Sequence, residues 1–296
     1  MARLIDDIIE FLEKKGIACS RQRRADSEIV SASAVGSGNE RIIMPLEIRA
    51  ASMEEAAEKG DTLQECINTI RQHDKVYPLI ITEDRWRRQQ GMMQARLLAH
   101  LEFFEQAYAR NCEVRRIDKS EAESFLNENH SYGYAACKYR YGLFLKRHTG
   151  HIAAELSANG SADCRKGMLI AVATFSNARK WIKNGIEIKS YEWTRYASLP
   201  EIRVNGGMGK LLKSFIKEVQ PDDIMSYADL EWSEGSVYSQ LGFNLEGKKS
   251  PVMFEVDSLW QRNPYGKQSE SAERETIAYF RNFGSNKYRL KITQYE

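Results

Sequence analysis

Gly206, Gly207 and Gly209 fall within four positions of the run Val204-Asn205-Gly206-Gly207-Met208-Gly209-Lys210. Glycines at this density let the backbone take positive φ and approach a ligand closely. If a helix starts here, its unpaired N–H groups and positive dipole end point into the turn, which makes the corner suited to an anion. A flexible entry into a helix would use the same residues, so the neighbouring elements must decide. One further group carries chemistry by residue type. His148 and His151, with Glu155 and Cys164, have metal-ligand character, but they stand among Gly, Ser, Asn and Ala. They read as a solvated hairpin tip, and no metal site is expected.

The elements around the glycine corner are legible. Ser190 to Leu199 reads as a strand, and Lys210 to Val219 places Leu211, Leu212, Phe215, Ile216 and Val219 on one helical stripe. Asp223 to Leu230 is a second strand and Ser233 to Leu241 a short helix. Phe243 to Gly247 and Val252 to Leu259 are strand-like, separated by Lys248-Lys249-Ser250-Pro251.

In this order the segments resemble a known family. Val204-x-x-Gly207-x-Gly209 before a helix resembles the pyrophosphate loop of the GNAT acyltransferase superfamily, Q/R-x-x-G-x-G/A. Tyr238-Ser239-Gln240-Leu241-Gly242-Phe243 is similar to its YxxLGF segment at the expected distance. The departure is Val204 in place of Gln or Arg, with Arg203 one residue early. The resemblance implies acetyl-CoA or another acyl-CoA as cofactor, held by Val204, Gly206, Gly207, Met208, Gly209 and Lys210, and Tyr238 as the acid that protonates the leaving thiolate.

Acyl transfer to an amine also needs a base. Glu192, on the strand before the loop, is the first choice, although it could instead pair with Arg195. Three residues apart, the two would face opposite sides of a strand unless it bulges. His130, at a helix end, is the second candidate by residue type. Asp229, after Ser226 and Tyr227, is the third, and could equally cap the following helix.

Composition bounds the rest. The 296 residues suffice for about two domains, and 43 basic against 41 acidic residues exclude a uniformly basic binder. No apolar run approaches a membrane span, and acids at Asp6 and Asp7 are unlike a signal peptide, so a cytoplasmic location with no membrane partner is expected. The five cysteines are odd in number and never form a CxxC pair, which favours reduced thiols.

The front of the chain reads helix (Leu4 to Lys14), strand, two strands joined at Gly36-Ser37-Gly38-Asn39, a helix over Met53 to His73 broken near Gly60-Asp61, and a strand at Tyr77 to Thr82. This αβββαβ order resembles the PD-(D/E)XK nuclease core. Glu47-Ile48-Arg49 stands where that family has E-x-K, and Asp26 and Glu28 are the nearest further acids. Arg cannot shuttle a proton near neutral pH, so a fold without cleavage that still touches nucleic acid is the middle reading. Two clusters, Arg21, Arg23 and Arg24 and then Arg85, Trp86, Arg87 and Arg88, suit phosphate contact with base stacking. They equally suit a solvated helix start with one tryptophan packed inward.

The expected class is therefore α/β (α+β). A nuclease-like or nucleic-acid-binding unit over residues 1–90 is joined by a helix over 91–112 to a GNAT-like twisted mixed sheet flanked by helices over 113–262, with an extension over 263–296 that has a helix near Ala272 to Phe280 and a strand at Lys287 to Ile292. Ser120 is the expected cap of the first helix of the GNAT-like part, with Glu123 completing a capping box. Much of the chain is also similar to phage and mobile-element proteins, including Mom-type DNA-modification enzymes. The readings this leaves are acyl transfer to nucleic acid or a nucleic-acid-associated substrate, a non-catalytic recognition module in a nucleic-acid binder, and a small-molecule N-acetyltransferase. DNA or RNA is the partner the basic clusters suit, and the number of subunits stays open.

Overall fold

The computed structural model describes residues 3–24, 27–36, 38–146, 167–183, 185–266 and 275–293. His148, His151, Glu155, Cys164 and Asp26 lie outside them. In chain order the elements begin α1 (Leu4–Lys14), β1 (Cys19–Arg24), β2 (Ser27–Ser33), β3 (Glu40–Leu46), α2 (Met53–Asp74), β4 (Leu79–Thr82), α3 (Glu83–Arg88) and α4 (Gln90–His100). Next come β5 (Glu105–Tyr108), β6 (Cys112–Arg116), α5 (Lys119–Asn129), β7 (Tyr139–Leu145), β8 (Leu169–Phe175), β9 (Arg179–Lys183), β10 (Ile186–Ser198) and β11 (Ile202–Asn205). The chain closes with α6 (Gly207–Val219), β12 (Asp223–Asp229), α7 (Ser236–Gln240), β13 (Asn244–Lys249), β14 (Met253–Asp257), β15 (Arg262–Pro264), β16 (Thr276–Arg281) and β17 (Ser285–Lys291). The α/β (α+β) class expected from the sequence is the one observed.

The chain forms two compact units, and neither is a continuous segment. The first takes Met1–Phe103, Tyr227–Ser236 and Gly247–Asn286, and the second takes Phe104–Ser226, Val237–Glu246 and Lys287–Glu296. The sequence blocks 1–90, 91–112, 113–262 and 263–296 do not follow this division, because late segments join the first unit.

In the first unit β1 to β4 form one sheet in sequence order, antiparallel except for the parallel pair β3 and β4. Alternation along the strands sends Val30, Ile43, Leu79 and Ile81 to one face, against Leu4, Ile8 and Leu12 of α1 and Met93 and Leu97 of α4. Ile29, Ile42, Met44 and Ile80 go to the other, against Ile67 and Ile70 of α2 and Val256 and Phe280 of a second sheet, β15-β14-β16. Several details differ from expectation. α2 runs unbroken past Gly60, whose missing side chain leaves room for Arg281, since a Cβ there would lie 2.5 Å from Nε. The helix expected over 91–112 stops at His100, and Glu102 takes φ 63°, a left-handed stop. Residues 276–281 form a strand, not a helix, because they pair antiparallel with β14. Glu47 follows β3 directly and is not part of it; among the described residues no group of three or more His, Cys, Asp or Glu is placed to hold a metal ion.

The second unit is built on a sheet ordered β13-β17-β12-β10-β8-β7-β6, with β9 pairing β10 outside that path. β6, β7, β8 and β10 are successively antiparallel, whereas β10 and β12 are parallel. α5 covers one face through Ala122, Phe125 and Leu126, which pack with Val172 and Ala197. Its N-cap is Asp118, accepting from the Glu121 N–H at 2.8 Å, and not the expected Ser120. α6 is anchored by Phe215, whose ring lies 3.9 Å from and parallel to that of Phe175 and meets Tyr139, Tyr141 and Tyr191 edge-on. No helix among the described residues is long and apolar enough to cross a membrane.

Candidate active site

The site assembles where β10 and β12 part. They pair in parallel only from Ser190 opposite Asp223 to Glu192 opposite Met225. Beyond Glu192, β10 continues on its other edge with β8, through a bulge between Trp193 and Arg195. A bulge bends the strand and re-aims its side chains, and here it falls between Glu192 and Arg195, the condition under which that pair could meet. Arg195 nonetheless donates to the Gly133 carbonyl at 3.0 Å and to the Thr194 carbonyl at 2.8 Å. Burial lowers its pKa, and the nearby Glu192 charge works in the opposite direction. The Glu192 N–H donates to the Ser176 hydroxyl at 2.9 Å.

On the far side of the parting, Ser226 of β12 donates its hydroxyl to the Trp193 carbonyl at 3.0 Å and lies 2.8 Å from the Tyr238 hydroxyl. Tyr238 is held by its own turn. α7 ends with Gly242 at φ 87°, the Gly242 N–H reaching the Ser239 carbonyl and the Phe243 N–H the Tyr238 carbonyl, each at 3.0 Å. This is a Schellman closure, which explains the glycine and the apolar residue after it. Phe243 is buried and packs against the Tyr238 ring at 5.5 Å, with Tyr288 stacked on that ring at 5.3 Å. Burial raises the Tyr238 pKa above the ordinary 10, outweighing the Ser226 hydrogen bond, which works to lower it, and Tyr288 adds to the rise. The phenol therefore stays protonated, as a proton donor must.

The glycine corner follows β11, which pairs in parallel with β5. Gly206 takes φ 75°, and the helical ladder starts with the Lys210 N–H donating to the Gly206 carbonyl at 3.0 Å. The N–H groups of Gly207, Met208 and Gly209 precede that first bond and have no intrahelical acceptor. Gly207 is required by packing, since a Cβ would stand 2.9 Å from Val204 Cγ1. Val204 thus closes the floor of the corner, where the family's Gln or Arg would be polar. The Lys210 ammonium donates to the carbonyls of Ala109 and Cys112 at 2.7 and 2.6 Å, so it braces α6. Two of its three N–H donors are used in this way.

Of the other expected residues, His130 ends α5 and accepts from the Tyr132 N–H at 3.1 Å through Nδ1. Asp229 accepts from the Glu231 N–H at 2.9 Å and lies 3.5 Å from Arg85. In the arginine clusters, Trp86 is 1% exposed and packs on Phe11, so it presents no face to a base. Arg85 is buried beside Asp229 and Glu231, Arg87 is paired with Asp7 at 3.0 Å, and Arg21 pairs with Asp6. Arg23, Arg24 and Arg88 are exposed. Ser226 and Trp193 were not singled out as site residues from sequence. Both stood in segments that were, and only the point where the strands part could have ranked Ser226 above Asp229.

No family model matches the sequence, and no curated protein matches it. Among solved structures, the chain is similar to a GNAT-family acetyltransferase from Bacillus anthracis, at 12% identity over 61% of this chain and 95% of that one, with a TM-score of 0.31. It is also similar to a structure described as histone acetyltransferase HPA2 and related acetyltransferase from Corynebacterium glutamicum, at 11% identity over 84% and 97%, with a TM-score of 0.28. Superpositions at these scores carry no argument about the reaction, which rests on the geometry of the second unit.

Proposed function

We propose that the second unit is a GNAT-type acyltransferase that takes an acyl group from a CoA thioester to an amine, with nucleic acid or a nucleic-acid-bound substrate as acceptor. The observation that carries this reading is the parting of β10 and β12 at Glu192, with Tyr238 held protonated on one side and the N–H groups of Gly207 to Gly209 at the start of α6. The N–H groups and helix dipole suit the cofactor's pyrophosphate. The space opened where β10 and β12 stop pairing past Glu192 suits its extended, amide-bearing arm. The cofactor supplies an activated acyl group as its thioester.

In this reading Glu192 takes the proton from the attacking amine, and the new C–N bond forms as the C–S bond breaks. Tyr238 gives its proton to the departing thiolate. His130 and Asp229 are the alternative bases. The experiment incubates the protein with acyl-CoA donors and with DNA, RNA or small amines, and reads the mass of the acceptor and the release of free thiol. Thiol release with a mass gain on an acceptor is expected. No CoA binding and no mass gain with any pair would leave a recognition module, and turnover with small amines alone would make this a small-molecule acetyltransferase.

A further inference from the structure

We infer that the β9–β10 ribbon is the nucleic-acid docking element of the second unit, taking the groove of a duplex. The inference rests on the proposed acyl transfer only for the identity of the acceptor. The ribbon is β9 paired with Ile186 to Ser190 of β10, and among the described residues β9 pairs with no other strand. Its residues 179–189 include four cations, Arg179, Lys180, Lys183 and Lys189, against one acid, Glu187, in a chain whose formal net charge is +2. The positive excess of the whole sequence is thus matched by this one arm.

Three large apolar side chains on the arm face solvent: Trp181 at 37%, Ile182 at 76% and Ile186 at 57% exposure. Register places Lys180 directly opposite Lys189, and Ile182 opposite Glu187. Two like charges facing each other across a pair of strands are destabilising by themselves. Glu187, 3.1 Å from Lys180, answers only one of them, and an anionic partner lying along that face answers both. Strand alternation puts Ile182 with the lysines and Ile186 on the opposite face with Trp181. A ribbon with exposed apolar residues on both faces, and Lys180 and Lys189 on one of them, fits a groove with two walls, and the major groove admits a two-stranded ribbon. A lipid surface would instead need the apolar residues on one side.

The arm is rooted beside the reacting groups. Ser190 donates to Asp223 at 2.5 Å, Arg289 donates to the same carboxylate oxygen at 2.5 Å, and the Lys189 N–H donates to Asp222 at 2.8 Å. Ile186 and Glu192 lie on one continuous strand, about 20 Å apart at roughly 3.3 Å per residue. A duplex seated on the arm is thereby held at a fixed distance from the base.

The test measures anisotropy of a short labelled DNA duplex across a salt series, for the wild type, Lys180→Glu/Lys189→Glu and Arg23→Glu/Arg24→Glu, with calorimetric CoA binding in parallel. The ribbon variant is expected to bind the duplex at least about tenfold more weakly, with the log–log salt slope reduced by about 2 as two phosphate contacts are lost. CoA binding should be unchanged. The milder Lys180→Gln/Lys189→Gln pair should shift the same way to a smaller extent, which keeps the test decisive if charge reversal disturbs folding. Duplex binding equal to wild type in the ribbon variants, a loss confined to Arg23→Glu/Arg24→Glu, no duplex binding by the wild type, or tighter binding to phosphatidylserine vesicles would each overturn the inference. Ribbon-dependent duplex binding without CoA binding would uphold the ribbon and sink the acyl-transfer reading.

Discussion

The Ser226 hydroxyl lies 2.8 Å from the Tyr238 hydroxyl and 3.0 Å from the Trp193 carbonyl, and it faces both as a donor. The Tyr238 oxygen accepts from Ser226, so its own proton is not needed for that bond. The phenol is thereby fixed beside the point where β10 and β12 part.

Tyr238→Phe should reduce kcat by about 10²-fold or more, the usual size of a general-acid contribution, while the KM for acyl-CoA changes little. The fold should lose only about 1 kcal/mol with the hydrogen bond. Ser226→Ala should slow turnover less, because it leaves the Tyr238 proton in place and only frees the phenol. Steady-state kinetics beside thermal melting separates these outcomes.

The pH profile provides a second check on the same residue. Burial raises the Tyr238 pKa above 10, so the acid form persists through neutral and mildly alkaline pH. Activity should decline only above about pH 10, and that alkaline limb should be absent from the residual activity of Tyr238→Phe.

Glu192→Gln should lower kcat by about 10²-fold without weakening acyl-CoA binding, since a base acts on the acceptor amine and not on the cofactor. If His130→Gln produces that loss and Glu192→Gln does not, the roles assigned to these two residues are exchanged.

The first unit yields a prediction about stability. Arg262 donates to Asp84 at 2.5 and 3.0 Å and to Glu231 at 2.7 and 2.9 Å, and both acids are nearly inaccessible. Burial opposes ionisation of Asp84, but the charge and hydrogen bonds of Arg262 outweigh it and hold its pKa below the ordinary aspartate value. Arg262→Ala should destabilise this unit by about 3–5 kcal/mol, because two buried carboxylates lose their partner. A depressed carboxylate pKa contributes stability that is complete above the unfolded value, near 4, and is lost as pH falls through the folded value. Thermal melts of the wild type should therefore weaken below about pH 4.

What the sequence made legible was local. The α6 stripe, the glycine corner and the Tyr238 to Phe243 turn depend on residues within a few positions of one another, and each has a side-chain or backbone reason visible in the sequence. What it hid was decided by distant partners. Glu105 to Tyr108 looks helical until β11, almost a hundred residues later, pairs with it. Residues 276–281 look helical until β14 is in place. Trp86 sits among arginines in sequence but packs on Phe11 of α1 in the fold. Asp229 has suitable chemistry for a base, and only the fold shows that Arg85, far away in sequence, lies 3.5 Å from it.

The most direct test of the account is calorimetric titration of CoA into the wild type and Gly209→Asp. Gly209 is the third N–H donor of the corner, and a Cβ there meets only Leu241 Cδ2 at 3.3 Å. An aspartate in the first turn suits the helix dipole, so α6 should hold, but its charge opposes a pyrophosphate at the same place. The account predicts saturable CoA binding by the wild type, weakened by about tenfold or more in the variant at equal thermal stability. Absence of CoA binding to the wild type, or equal affinity in the two proteins, would contradict it.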